Sequence, residues 1–184
     1  MARLEIVTDQ VETADAGEIA SFLAREGIEF GQHSLTAVAR ELAKKDVLSD
    51  VERTEVIASY APSGDHYAGQ EGFRADVVCF WPEFEHMSFV LSKFSPVHFH
   101  FENEWWYVID GEASFGFLGS NGTKFILTVG VGEFCQVPEG IWQWFELTPA
   151  KRLKSIRYFN TSRRIEPREP VHFGIGLPRV EAGQ

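Results

Sequence analysis

Cysteine is scarce in this sequence, with only two residues in a chain of 184. Cys79 and Cys135 lie far apart and have no CxxC spacing, which argues against both a thiolate zinc clip and a disulfide framework. We therefore expect both to be small buried side chains, because free cysteines are among the most buried residues.

Basic residues are also few, since 17 Lys and Arg face 27 Asp and Glu and the formal charge is −10. No basic stripe could follow nucleic acid phosphates or bind an anionic membrane surface. There is no apolar run near the roughly 20 residues that a membrane span needs, and no signal-peptide pattern begins the sequence. We expect no nucleic acid or membrane partner, and a cytoplasmic protein is the simplest interpretation.

Aromatic residues, in contrast, are plentiful and make up 14% of the sequence, with 16 Phe and 5 Trp. Such a composition supplies ample apolar surface for burial and argues against disorder. The length suits one domain. We therefore expect a single domain over residues 1–184, with a core or pocket built from rings.

Residues 1–70 are predicted to be helical, with three short amphipathic segments. Asp15 and Glu18 have the spacing of a helix N-cap, and Gly27 is well placed to end that helix. A second helix is expected after Ser34, and a third after the capping-box pair Ser49 and Glu52. These helices are expected to pack against the rest of the domain.

Residues 71–160 have the pattern of an antiparallel β-barrel, because short apolar or alternating runs are separated by turn residues. Two turns are indicated, at Asp110-Gly111 and at Ser120-Asn121-Gly122, since Gly and Asn tolerate the positive φ of hairpins. Residues 161–184, which are rich in proline, are predicted to form an extended strap. The predicted strands contain Val77–Trp81, Trp105–Ile109, Phe125–Val129 and Leu153–Phe159.

The stretch from His98 to Glu104 has the features of a metal site. His98 and His100 are two residues apart, so on a strand their imidazoles point to the same face. Four extended residues would carry Glu104 about 13 Å beyond His100, whereas metal bonds are only ~2.0–2.2 Å long, so the chain must reverse at 101–103. Two histidines and a carboxylate with open positions form the facial triad of oxygen-using ferrous enzymes.

A longer pattern accompanies this stretch. Six residues separate Glu104 from Gly111, and Gly132, Pro138, Gly140 and Gln143 then follow at spacings of five, one and two residues. These two elements resemble the two signature motifs of the cupin superfamily. Within the cupins, the helical front half, the HxHxxxE form and the phrases Val-Pro-Glu-Gly and Ile-Arg-Tyr-Phe resemble acireductone dioxygenases over roughly residues 15–160.

The resemblance implies a mainly β fold with N-terminal helices, built as a single cupin barrel of the jelly-roll type. It also implies a ferrous or nickel ion and oxygen-dependent cleavage of an enediol ketone in methionine salvage. The implied metal ligands, and with them the catalytic residues, are His98, His100, Glu104 and the residue at the fourth ligand position, Gln143. Iron(II) is the expected ion and nickel(II) the alternative.

Two departures from the family pattern fall at the predicted site. Gln143 stands at the position of the family's fourth ligand, a histidine, and its neutral amide can either ligate an ion or hydrogen-bond to a metal-bound water. Trp106 stands two residues after the liganding glutamate, where the family tends to carry an arginine. Alternation places Trp106 on the same inward face as Glu104, so the pocket floor should be larger, flatter and less charged.

The predicted substrate pocket contains Trp106, Arg157 and Phe94. Arg157 and Arg74 are the two candidates to restore the missing positive charge, with a surface ion pair as the alternative for Arg74. His86 is the first candidate for a replacement ligand, because it lies on the approach to the metal strand.

Three functions remain open. The leading hypothesis is a dioxygenase that cleaves an enediol or hydroxyketone, acireductone or a bulkier compound, with a small-molecule substrate and O2 as its partners. The second is a non-oxidative metal-dependent isomerase or lyase, with a carboxylate such as Glu102 moving a proton. The third is a non-catalytic cupin that binds a small molecule. The chain is expected to be a monomer or a homodimer.

Overall fold

Two curved β-sheets enclose the core in the computed structural model, which describes residues 1–60 and 72–160. This mainly β architecture with helices near the N-terminus agrees with the sequence prediction. The helices are α1 (Ala16–Arg25), α2 (Ala37–Leu42), α3 (Asp50–Tyr60) and α4 (Met87–Phe94). The strands are β1 (Arg3–Ile6), β2 (Val11–Thr13), β3 (Phe30–Gln32), β4 (Phe73–Phe80), β5 (Glu104–Leu118), β6 (Lys124–Gly130), β7 (Glu133–Val137), β8 (Trp142–Leu147) and β9 (Leu153–Asn160).

Strand β5 belongs to both sheets and joins them. Its first half pairs antiparallel with β7 and β9, in a sheet that also contains β3 and β4. Its second half pairs antiparallel with β6 and β8, in a sheet that also contains β1 and β2. The change of partners within one strand closes the two sheets around a shared interior.

The predicted turn at Asp110-Gly111 is wrong, because both residues lie inside β5. The pairing between β5 and β9 shifts register between Val108 and Asp110, and Gly111 takes a φ of +73°. Such a β-bulge uses the same positive φ that a turn would use, but it bends the strand instead of ending it. The turn predicted at 120–122 does join β5 to β6, and Gly122 has a φ of +75° there.

Replacing Gly111 by alanine is expected to lower the free energy of unfolding by about 3 kcal/mol, because an L residue is strained at positive φ. A Cβ atom at this position would also lie 2.0 Å from the carbonyl oxygen of Arg152. Gly132→Ala is the matched control, since Gly132 has a φ of +79° but no atom closer than 3.5 Å to the added Cβ. Urea unfolding should show a clearly smaller loss for G132A; equal losses would exclude the backbone clash.

Two of the three predicted helix starts are confirmed by their capping bonds. The Asp15 carboxylate accepts a hydrogen bond from the backbone N–H of Glu18 at 2.9 Å. Ser49 and Glu52 form a reciprocal capping box, with bonds of 2.9 Å and 3.3 Å. The second helix begins later than predicted, because its N-cap is Thr36 and not Ser34.

The description of residues 1–70 as helical was incomplete. Strands β1, β2 and β3 also lie there, and they extend the two sheets by pairing with β6 and β7 or with each other. Each has three or four residues, which is too short for alternation to be recognised in the sequence. Helix α4 was also missed, and the predicted strap at 161–184 lies outside the described residues.

The two faces of β5 pack against different parts of the protein. Trp105 packs with α2, α3 and the outer face of β9, whereas Trp106 packs inside the barrel with Phe115 and Phe145. Strand alternation accounts for this division, since successive side chains point to opposite faces. Within the described ranges, no helix has the length and apolar character needed to cross a lipid bilayer.

Candidate metal centre

The two sequence motifs come together through backbone hydrogen bonds. His98 and Gln143 form an isolated antiparallel bridge, in which each backbone N–H donates to the other residue's carbonyl at 2.8 Å. The backbone N–H of Gly140 donates to the carbonyl of His100, also at 2.8 Å. The amide of Gln143 is thereby held beside the histidine pair.

The chain reverses between His100 and Glu104, as the spacing argument requires. Residues 101 and 102 form a bend, and Glu104 is the first residue of β5. Its side chain is almost entirely buried, as are those of His98, His100 and Gln143, with exposed fractions of 1% to 3%. Polar side chains this deeply buried need partners, because an unpaired buried polar group is costly.

The hydrogen bonds of His98 define its tautomer. Its Nδ1 lies 2.7 Å from the carbonyl oxygen of Pro96, and a carbonyl can only accept, so Nδ1 carries the proton. In the neutral ring Nε2 therefore has a lone pair, and it lies 3.3 Å from the side-chain nitrogen of Gln143. A lone pair on Nε2, with Nδ1 bonded to a backbone carbonyl, is the arrangement of a metal-binding histidine.

His100 completes the histidine pair. Its ring centroid lies 5.0 Å from that of His98, with the ring planes at 86°. Its Nδ1 is buried and has no hydrogen-bond partner among the described residues. Buried polar atoms without a protein partner are uncommon, and many of them bind an ordered water or an ion.

The carboxylate of Glu104 is held by two donors. The indole N–H of Trp106 donates to Oε2 at 3.2 Å, and a guanidinium nitrogen of Arg157 lies 3.5 Å from Oε1. Arg157 is itself fixed by Asp76 through two bonds of 2.6 Å and 3.1 Å. Burial alone would lower the pKa of Arg157, but the charges of Glu104 and Asp76 outweigh that effect and raise it, so the guanidinium stays charged.

The donor set fits a divalent ion in its chemistry. Two imidazoles, one carboxylate and one amide face a common cavity, and they are ligand types that iron(II) and similar ions accept. Over residues 1–60 and 72–160, no three His, Cys, Asp or Glu side chains already form a closed group around one point. Gln143 presents its side-chain nitrogen to Nε2 of His98, so its amide would have to turn to offer its oxygen to a bound ion.

These side chains line a cavity of about 120 Å³, partly open to solvent. Apart from Arg157 of β9, the other described residues of its walls are apolar or aromatic and come from β4, α4, β5 and β8. All seven residues of the predicted site and pocket are among those that line it. The lining residues are Val78, Phe80, Val90, Phe94, His98, His100, Glu104, Trp106, Phe115, Gln143, Phe145 and Arg157.

Three residues considered from the sequence do not line this cavity. Arg74 is exposed, so Arg157 alone of the two candidate arginines reaches the cavity wall. His86 is exposed at the start of α4, with its ring near Phe84, and it does not replace a ligand. Glu102 is buried, but it is absent from the cavity lining.

Sequence reasoning missed Asp76 and the apolar walls contributed by Phe80, Val90 and Phe145. The alternation of side chains along β4 and β8 could have predicted that Phe80 and Phe145 point into the interior. Asp76 gave no signal, since its pairing with Arg157 joins strands 81 residues apart.

The curved barrel and the cavity ringed by two histidines, a glutamate and a glutamine define a cupin. An acireductone dioxygenase structure from Bacillus anthracis, described with a cadmium ion in its active centre, has the same fold. It superposes with a TM-score of 0.77 at 22% identity and covers 88% of this chain and 94% of its own. The cupin fold predicted from the sequence is thus confirmed.

Sequence comparison identifies the family. Residues 7–166 match the ARD/ARD' family. Acireductone dioxygenase of Microcystis aeruginosa is 33% identical over 162 residues, covering 87% of each chain. That of Leptospira interrogans is 32% identical over 146 residues, covering 79% of this chain and 82% of the relative. This chain belongs to the ARD/ARD' family.

Proposed function

We propose that this protein is a metal-dependent dioxygenase that cleaves an enediol with O2, with one ion held by His98, His100, Glu104 and Gln143. The observation that carries the proposal is the convergence of these four buried side chains on one cavity. Membership of the ARD/ARD' family supports the reaction type. The names of the relatives support acireductone as the first substrate to test.

Iron(II) is the proposed ion and nickel(II) the alternative. The cadmium ion described in the active centre of the Bacillus anthracis structure supports a divalent ion as the type of metal to test here. Bound iron would supply Lewis acidity toward the substrate oxygens and an electron path to O2. The chain's own part is to hold the ion with one negative charge, from Glu104, and to leave positions open for the substrate.

Arg157 is the proposed partner of the anionic enediolate. Asp76 fixes its guanidinium by two bonds, and the charges around it keep it protonated, so its position and charge are both preset. A preorganised donor costs little reorganisation when a substrate charge develops. Trp106 stands where an arginine was expected, and Arg157 is the only cationic side chain among the cavity-lining residues that the structure describes.

The apolar walls are proposed to receive the substrate's carbon substituent and to exclude water. A cavity of about 150 Å³ in another protein is known to hold benzene, so the 120 Å³ seen here suits an enediol with a short substituent. This size makes acireductone or a similar compact compound a better candidate than the bulkier substrate considered from the sequence.

The test is metal analysis of protein purified without oxygen, followed by oxygen-electrode assays of the iron-loaded chain. We expect close to one iron per chain and oxygen uptake with synthetic acireductone, at about one O2 per enediol. Protein stripped with chelator is the control and should consume no oxygen. Substrate loss without oxygen uptake would instead favour an isomerase or lyase, and a chain that binds no divalent ion would exclude the enzyme proposal.

A further inference from the structure

Trp106 contacts the proposed ligand Glu104 directly. Its indole N–H donates to Oε2 of Glu104 at 3.2 Å, and its side chain is 8% exposed. Both residues lie on the inward face of β5, two positions apart, which is the shortest separation that keeps two strand residues on one face. The second residue after the glutamate thus binds the glutamate itself.

The indole ring is held in place on several sides. It stacks on Phe145, with centroids 5.7 Å apart and planes at 18°, and meets the edge of Phe115 at 5.3 Å. The guanidinium of Arg157 lies 5.4 Å from the ring centroid, which adds a cation–π contact. A ring packed in this way presents its N–H in a fixed direction.

A fixed N–H matters because Glu104 is the only anionic side chain among the described residues that line the cavity. Gln143 contributes a neutral amide, which is a weaker donor than a charged carboxylate, so much of the affinity for an ion has to come from Glu104. A free carboxylate rotates broadly about its last torsion. A carboxylate oxygen has two lone pairs, so Oε2, which accepts the indole N–H, and Oε1, which lies 3.5 Å from Arg157, can each still offer one to an ion.

We propose that Trp106 is a positioning residue that orients Glu104 for metal binding. This inference rests on the proposed function only in taking Glu104 as a ligand. It requires nothing about the substrate or about oxygen. It also gives a physical role to Trp106, which stands where the resemblance led us to expect an arginine.

The experiment compares the affinity of wild-type protein and Trp106→Phe for cobalt(II), followed without oxygen by the visible absorption of the bound ion. Phenylalanine keeps an aromatic ring against Phe145 and removes the N–H. We expect the dissociation constant for cobalt to rise about tenfold and the cobalt spectrum to change. Tenfold is the lower end of the loss in metal affinity when a residue that hydrogen-bonds to a metal ligand is removed.

Trp105→Phe is the matched control. Its indole N–H also binds a carboxylate, Oε2 of Glu29 at 3.1 Å, and Trp105 is 6% exposed, but it faces the helices. W105F should therefore leave the cobalt affinity and spectrum unchanged. A merely structural role for Trp106 predicts that both variants lose stability and neither loses metal affinity.

An unchanged or tighter cobalt affinity in folded W106F would overturn the inference, and a tighter one would mean that the indole withholds Glu104 from the ion.

If W106F does not fold, an NMR experiment on the wild-type chain with ¹⁵N-labelled indoles replaces it. The Trp106 signal is assigned by elimination, from Trp→Phe variants at the other tryptophans. That signal should shift on addition of zinc(II), and a signal that does not move contradicts the proposal. The two proposals can fail separately. If the wild-type protein does not act on enediols but W106F still binds cobalt more weakly, the proposed reaction is wrong and the role of Trp106 stands.

Discussion

Replacing Glu104 by glutamine should weaken metal binding by more than about 100-fold and should abolish turnover at micromolar metal. Loss of a residue that only hydrogen-bonds to a metal ligand costs roughly 10 to 100-fold in affinity, and loss of the charged ligand itself should cost more. Within residues 1–60 and 72–160, the substitution removes the only negative charge among the side chains that line the cavity. It preserves the size of the side chain, and an amide oxygen can still accept the indole N–H of Trp106. The loss would therefore report on charge and not on a collapsed barrel.

The measurement is a competition titration of iron(II) or cobalt(II) against a chromophoric chelator, with circular dichroism to establish folding. Glu133→Gln is the matched control, because Glu133 is also buried and accepts backbone N–H bonds from Ala2 and Gly130, each 2.8 Å long. E133Q should lose stability and keep its metal affinity. Wild-type affinity in folded E104Q would show that Glu104 is not a ligand.

The sequence predicted those features of the site that depend on a single strand or a single turn. The two-residue period places Glu104 and Trp106 on the inner face of β5, and the limited reach of the chain requires a reversal at 101–103. The structure has both features. Local rules of this kind need no knowledge of the rest of the fold.

Contacts between distant strands gave no comparable signal. Asp76 meets Arg157 because β4 and β9 pair in a particular register, and no pattern within either strand reveals that register. The hydrogen bond from Trp106 to Glu104 was also missed, although alternation placed both side chains on one face. Alternation predicts which face a side chain occupies, but not which partner its polar atom finds.

Gly111 illustrates a different ambiguity. A glycine with positive φ can end a strand in a turn or bend it in a bulge, and Asp-Gly is typical of both. The outcome here depends on the strands beside β5, which change from β7 and β9 to β6 and β8 across this position. Only the tertiary pairing decides between the two.

Histidine in place of Gln143 is expected to raise the affinity for nickel(II) by about 100-fold or more, and the affinity for manganese(II) much less. An imidazole nitrogen is a stronger donor for nickel than an amide oxygen, which suits harder ions. Gln143 lies where its side chain already meets Nε2 of His98 at 3.3 Å, so a ring at this position would face the same cavity. Competition titrations with the two ions measure the change in their ratio.

Gln136→His is the matched control, since Gln136 lies on β7 between the inward-facing Cys135 and Val137 and is absent from the cavity lining. A histidine there should leave both affinities unchanged. If Q143H gains nickel and manganese equally, or gains neither, the amide of Gln143 is not a ligand and serves as a hydrogen-bond donor to His98. A selective gain, together with faster oxygen uptake on acireductone, would mean that this one side chain sets which metal the barrel prefers.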